Sequence, residues 1–414
     1  MMTSQSTERF VLPIASFESD CDRTVRELCE AVQALYSEIE ADAEMPQEVS
    51  RRFGLNKNLT WKIGRMLSAG DPVEALAHVP GRAAISILLK AAGEHTSDAR
   101  LLDRVRDASE RVDAMVQSHV GDRATLDLVL DGRDVLSRER LELSRRYLFL
   151  GASGVWGVQA RTRVFVALLA PAEHDPSLLD ITTVNGYHGL RRLQSRGKWP
   201  LFRLTSWGKS IEGASSAVTP LDPTQVPGVP HLLSRFSSQE LPALEIRASP
   251  SGTDYLLGPG PVGNFGSADV FMGQRWPSTS NRFASNLERT GEFGPGISVP
   301  SESVLFDLYM HESLGYADRL ETLVYGYPRR LGEPTPLELD APGMLRLPGE
   351  LTSLDGDLEG IEPPAFPAHD ELVAWCFERL GWDRGHFCGR RLTMKYPPLG
   401  ASVGVRFPLE DPPR

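Results

Sequence analysis

Through the first 146 positions apolar residues recur at three- and four-residue spacing; after that they give way to runs of β-branched and aromatic residues. This change of period constrains the fold more than any other feature of the chain. Over residues 19–43, Val25, Leu28, Val32, Leu35, Tyr36 and Ile39 form one stripe of an amphipathic helix, with Ser19 and Asp20 available as N-caps. Residues 98–120 repeat the pattern through Leu101, Leu102, Val105, Ala108, Val112, Met115 and Val116. AAISILLKAA, within residues 82–92, is apolar nearly all round and is expected to be buried. Shorter helices are expected over 71–79, 124–130 and 135–146.

The character changes near Tyr147. YLFLGASGVWGV and then RTRVFVALLAP combine β-branched and aromatic residues with Gly and Pro punctuation, which favours strands. Strand-like runs return at 243–248, 303–309, 322–327 and 400–407. DELVAWCFERL, at 370–380, is a late helix with Leu372, Val373, Trp375, Cys376, Phe377 and Leu380 on its apolar side. The prolines of residues 205–242 and the acidic, proline-rich residues 333–367 predict surface connections. At 414 residues the chain exceeds what one core usually serves. The expected class is α+β: an all-helical N-terminal domain over 1–146, then a larger β-rich mixed domain over 147–414 with a subdivision near 210–242 left open.

Charge singles out one segment. The chain carries 44 Lys+Arg against 55 Asp+Glu, and 44 − 55 gives −11. From Val49 to Gly70, however, the only charged residues are Arg51, Arg52, Lys57, Lys62 and Arg65. Around them the residues spell two short helices. Pro46 suits a first turn, where its missing N–H costs nothing, and Val49 and Phe53 share a face. Gly54 can end that helix in the left-handed conformation, Leu55 plugs the turn and Asn56 can cap the next helix. There Leu59, Ile63 and either Met66 or Leu67 point one way, and Asn58, Trp61, Lys62 and Arg65 the other.

EVSRRFGLNKNLTWKIGRML, within residues 46–67, resembles the helix-turn-helix of bacterial transcription regulators. The resemblance implies double-stranded DNA as partner, with Lys57, Asn58, Trp61, Lys62 and Arg65 facing the groove and Arg51 and Arg52 holding the backbone. It also implies a homodimer reading two half-sites, and a C-terminal domain that senses a small-molecule effector or mediates assembly. Two features depart from the pattern. Many regulators place an apolar residue six positions after the turn glycine, where this chain has Thr60; and Gly64 inside the second helix costs about 1 kcal/mol relative to Ala. Residues 71–92 read as helix and not as the β-hairpin of a winged variant. The competing account is a basic, solvated corner of a helical bundle, in an enzyme or small-molecule-binding protein whose helical region is structural, or in a scaffold.

Other constellations are weaker. Arg191, Arg192, Arg196 and Lys198, followed by Trp199, form a second basic cluster that reads either as a solvated basic loop or as a site for an anion. Cys376, His386 and Cys388 supply only three local ligands, and the four cysteines are too few for a disulfide framework, so neither a metal nor a cofactor is expected. GASGVWG lacks the order of a phosphate-binding glycine loop and is expected to be a packing or turn segment. Asp307, His311 and Glu312, and Asp180 near His188, come with no nucleophile motif, so no catalytic residue is assigned. The aromatic residues Tyr255, Phe265, Phe271, Trp276, Phe283 and Phe293 are expected on loops that could line a pocket. The longest apolar stretch, 147–172, is broken by Arg161, Arg163 and glycines, and the N-terminus lacks a secretory pattern; a cytoplasmic protein without a membrane span is expected.

Overall fold

A computed structural model describes residues 16–131, 138–204, 218–223, 229, 231–249, 252–286, 289–316, 318–326, 343–345, 347, 349–355 and 365–413. The chain is mixed α+β, a helical N-terminal region followed by a region built on a large mixed sheet. It divides into two compact units, Met1–Leu141 and Glu142–Arg414.

In the first unit α1 (Phe17–Glu38), α2 (Pro46–Arg52), α3 (Lys57–Ser68), α4 (Pro72–His78), α5 (Arg82–Gly93), α6 (Ala99–His119) and α7 (Arg123–Asp131) follow one another, and α8 (Arg138–Trp156) crosses into the second. α1 is the hub, packed on α3, α4 and α6. The stripe from Val25 to Ile39 meets Val105, Ala108, Val112, Met115 and Val116 of α6 in one apolar core. Each fully buried Leu, Ile or Val contributes about 1.5–3 kcal/mol there. Side-chain oxygens cap four of these helices: Ser16, Asn56, Asp71 and Asp98 each accept from a first-turn N–H of α1, α3, α4 and α6.

α8 corrects an expectation. YLFLGASGVW is helical to Trp156, and the strand begins only at Val158. Val155 is its one β-branched residue, and Leu, Phe, Ala and Tyr are all tolerated in helices. It also lacks a clean apolar stripe, since Tyr147, Leu150, Val155 and Trp156 are exposed while Phe149 is buried against Tyr396. The glycines of GASGVWG before Gly157 therefore sit in a helix and not in a turn.

The second unit continues with β1 (Val158–Pro171), β2 (Leu178–Arg192), β3 (Trp199–Leu204), β4 (Thr219–Pro220), β5 (Leu244–Ser249), β6 (Gly252–Leu257), β7 (Ala268–Asn281), β8 (Thr290–Phe293), β9 (Ser301–His311), β10 (Glu321–Tyr325) and β11 (Glu350–Ser353). α9 (His369–Leu380), β12 (Phe387–Lys395) and β13 (Ser402–Pro408) complete it. The central sheet runs β11-β12-β9-β1-β2-β7-β4; only β1 and β9 pair in parallel. Two smaller sheets, β3-β6-β5 and β10-β13-β8, flank it. α9 covers one face of the central sheet, where Leu372, Val373, Trp375 and Phe377 pack on Val164, Val166 and Leu168 of β1. The opposite face meets the small sheets through two separate apolar clusters, one containing Phe202 and Tyr255, the other Phe293, Val403 and Phe407.

The aromatic stretch from Tyr255 to Phe293 is corrected in part: Tyr255, Phe271, Trp276 and Phe293 lie in β6, β7 and β8, whereas Phe265 and Phe283 fall between strands, as expected. Much of 205–242 and 333–367 lies outside the described residues.

A buried polar cluster pins β9, β12 and α9 together. Asp307, wholly buried in β9, accepts two hydrogen bonds from Arg391 of β12, Nε to Oδ1 and Nη2 to Oδ2, both 2.8 Å. His369, at the start of α9, lies with Nδ1 3.3 Å from Arg391 Nη2 and Nε2 3.3 Å from Asp307 Oδ2. A guanidinium can only donate, so Nδ1 is the acceptor and the ring is neutral. Burial holds His369 below its ordinary pKa, against Asp307 and the exposed Asp370, which pull the other way, and with Arg391, which adds to it. The folded protein therefore binds this proton less readily than the unfolded chain, and stability is present above about pH 6.5 and lost as pH falls below it. His369→Gln should flatten that slope between about pH 7 and 5, read from urea midpoints by tryptophan fluorescence. Six of the seven tryptophans follow residue 142, so the signal reports the second unit. An unchanged slope would show that the ring titrates alike in both states.

Candidate nucleic-acid interface

α2 and α3 are joined by a turn whose geometry follows from its residues. Pro46 opens α2, Gly54 is left-handed (φ 65°), and Leu55 N–H reaches back to the Ser50 carbonyl at 3.0 Å, closing the helix end. Ser50 Oγ also donates to the Leu55 carbonyl at 2.7 Å. Asn56 Oδ1 then accepts from the Asn58 N–H at 2.8 Å and starts α3. Val49, Phe53, Leu55, Leu59, Ile63 and Met66 all face the core.

The two departures have physical accounts. Thr60 is buried, like an apolar residue at that position, with its hydroxyl satisfied by the Lys57 carbonyl at 3.1 Å. At Gly64 a Cβ would lie 2.7 Å from the Ala43 carbonyl oxygen, so the backbone before α2 approaches α3 too closely for any side chain.

Among the sequence-derived contact residues, Arg51, Arg52, Lys57, Asn58, Trp61 and Arg65 are exposed and Lys62 is half-buried. Arg52 is tied to its own unit: it donates to the Glu40 carbonyl at 2.7 Å, lies 3.9 Å from the Glu40 carboxylate and covers the Phe53 ring. Arg51 donates to the Gln47 carbonyl at 3.4 Å. Among the described residues, Lys57, Lys62 and Arg65 have no carboxylate partner within ion-pair distance. Trp61 is 49% exposed, and its ring meets His78 edge-on at 5.8 Å. Burial, with the nearby Arg65, holds His78 below its ordinary pKa and so neutral at pH 7.

Beside this face lies a hollow of about 560 Å³ bordered by Trp61, Gly64, Arg65 and Tyr36, with Asp42 and Glu44 also lining it. The buried Tyr36 hydroxyl has no hydrogen-bond partner among the described residues, and burial pushes its pKa well above the ordinary tyrosine value. Neither His78 nor Tyr36 was legible as part of this surface, because each comes from another helix and reads as an ordinary helical residue.

The second basic cluster is dispersed. Arg192 is buried at the end of β2, and its guanidinium donates to four carbonyls, those of Gln194, Arg196, Gly197 and Gly258, at 2.7–3.0 Å. It pins the β2–β3 turn. Lys198 pairs with Glu245, and Arg191 approaches Asn264 at 3.5 Å. Arg191 and Arg192 border a cavity of about 330 Å³ that Arg196 and Lys198 do not line.

His188 is paired with Asp269 at 2.9 Å, whereas Asp180 accepts from the Ser278 N–H. Asp307 is in the buried cluster above, away from His311, which bonds Ser313, and from Glu312, which bonds His386. Cys376 is buried in the apolar face of α9. Among the described residues no group of three or more His, Cys, Asp or Glu is placed to hold a metal ion, and no helix is long and apolar enough to cross a membrane. Compared with known families and with curated proteins, the chain matches no family model and no curated sequence.

Proposed function

We propose that the helical unit binds double-stranded DNA and that the chain is a transcription regulator, acting as a cytoplasmic homodimer, whose second unit senses a small-molecule effector or mediates assembly. One observation carries this reading. A capped helix exposes Lys57, Asn58, Trp61 and Arg65 together, with Lys62 beside them, and among the described residues its cations have no carboxylate partners, in a chain of net charge −11. An acidic protein repels the phosphate backbone overall, so a local unpaired basic surface is what binding would require.

The test is a salt titration with labelled duplex fragments. Binding is expected to fall linearly in log affinity against log salt. Lys62→Ala and Arg65→Ala should each weaken it and lower the slope by about one. A chain that binds no fragment at low salt is not a DNA-binding protein. A second reading, a small-molecule-binding protein with a structural helical part, draws on a cavity in the second unit.

A further inference from the structure

Between the two apolar clusters on one face of the central sheet runs a polar strip. The strand register puts Phe165 beside Asn185, and Thr183 beside Gln274, with Arg163 one pleat along β1 from Phe165. Tyr187 and Met272 lead into one cluster, Ile181 and Trp276 into the other. Polar side chains are costly at such a depth unless each is satisfied, and here two are not.

Arg163 is buried and, among the described residues, has no carboxylate partner. Its guanidinium makes four hydrogen bonds: to the carbonyls of Val164 (2.7 Å), Gly186 (3.2 Å) and Gly296 (3.4 Å), and to Asn185 Oδ1 (2.6 Å). One of its five N–H groups is left over. The rings of Tyr187, Phe202 and Phe165 surround the charge at 4.9, 5.8 and 6.0 Å and fix its plane. Gln274 is fully buried; its Oε1 accepts from the Thr183 hydroxyl, and its Nε2 has no partner among the described residues. Both side chains line a cavity of about 310 Å³ with no acidic residue among the described residues of its wall. The other arginine on its wall, Arg203, is neutralised by Asp254.

We infer that this cavity binds a small organic carboxylate: one carboxylate oxygen on Arg163, the other on Gln274 Nε2, and the apolar body against Phe165, Phe202 and Trp276. Two free donors and one uncompensated positive charge match a planar monoanion and fall short of a tetrahedral dianion, which asks for more of both. The cavity volume is at the low end for small-molecule sites, so the ligand is small. The inference goes beyond the DNA reading and does not depend on it, because binding is measured on the full chain without DNA.

The probes are benzoate, phenylacetate and hexanoate, with benzamide as the neutral match of benzoate and inorganic phosphate as the alternative anion, each titrated calorimetrically. At least one carboxylate should bind with Kd below about 5 mM, with phosphate weaker than that carboxylate and benzamide at least about threefold weaker than benzoate. Arg163→Lys should weaken binding, but the arginine also braces four strand and loop groups and its loss could unfold the unit. Gln274→Leu is the safer variant. It should weaken carboxylate binding about tenfold or more while raising the urea midpoint, because an orphaned buried donor is removed; a purely structural glutamine would lower that midpoint. The proposal fails if no carboxylate binds below that limit, if benzamide binds within threefold of benzoate, if phosphate binds more tightly than every carboxylate, or if Gln274→Leu leaves affinity unchanged.

Discussion

Asp307→Ala is expected to destabilise the second unit by about 3–5 kcal/mol, because it leaves the Arg391 guanidinium buried without its ion-pair partner, the exposed Asp370 being the nearest remaining carboxylate among the described residues. Both carboxylate oxygens are engaged by Arg391, the whole of Asp307 is out of solvent, and His369 and Tyr309 close the site. Water cannot replace the lost partner without opening the packing of α9 on the sheet. The size of that loss measures the exposed penalty and not the worth of the pair, so the double variant Asp307→Leu/Arg391→Met should recover most of it. Urea denaturation followed by tryptophan fluorescence reads both. A loss below about 1 kcal/mol for the single variant is what a solvated surface pair gives, and would show that the cluster is hydrated in solution.

Gly404→Ala should be comparably damaging, for a steric reason. Gly404 of β13 and Gly294, just past β8, face each other where the backbone of one segment crosses the other. A Cβ on Gly404 would lie 2.2 Å from the Phe293 carbonyl oxygen, and one on Gly294 would lie 2.1 Å from the Val403 carbonyl oxygen. Neither obstacle is a side chain that can rotate away, so the small sheet itself must move. Overpacking ordinarily costs about 1–3 kcal/mol, and a backbone-on-backbone clash belongs at or above the upper end. Gly154→Ala is the control. Its added methyl meets nothing within 4 Å in α8, and Ala is favoured over Gly in a helix by about 1 kcal/mol. The two substitutions add the same atom and should move the urea midpoint in opposite directions. Equal effects would mean that the backbones at Gly404 and Gly294 leave room for a methyl group. Because Gly294 lines the carboxylate cavity, Gly404→Ala should also disturb binding there.

The local construction of α2 and α3 was legible because each device uses neighbours in sequence. Pro46, Gly54 and Asn56 act within four residues of their partners, and the periodic apolar positions of α1, α6 and α9 register directly as one buried face. β2 and β7 were not legible. Both are largely buried on their two faces, which removes the alternation that marks a strand, and the basic end of β2 read as a solvated loop. α8 failed for the converse reason: its exposed Tyr147, Leu150 and Trp156 mimic the composition of a buried strand.

What the chain determined by itself is therefore its local code: period, caps, turn glycines, and a basic helix face in an acidic protein. Tertiary structure decided everything that depends on pairing distant segments. It set Arg163 beside Asn185 and near Gln274, spent Arg192 on four carbonyls, buried Asp307 against Arg391, and brought Gly294 against Gly404. Hydrogen bonding and excluded volume act over a few ångströms in space, and only the strand register says which residues fall within that distance.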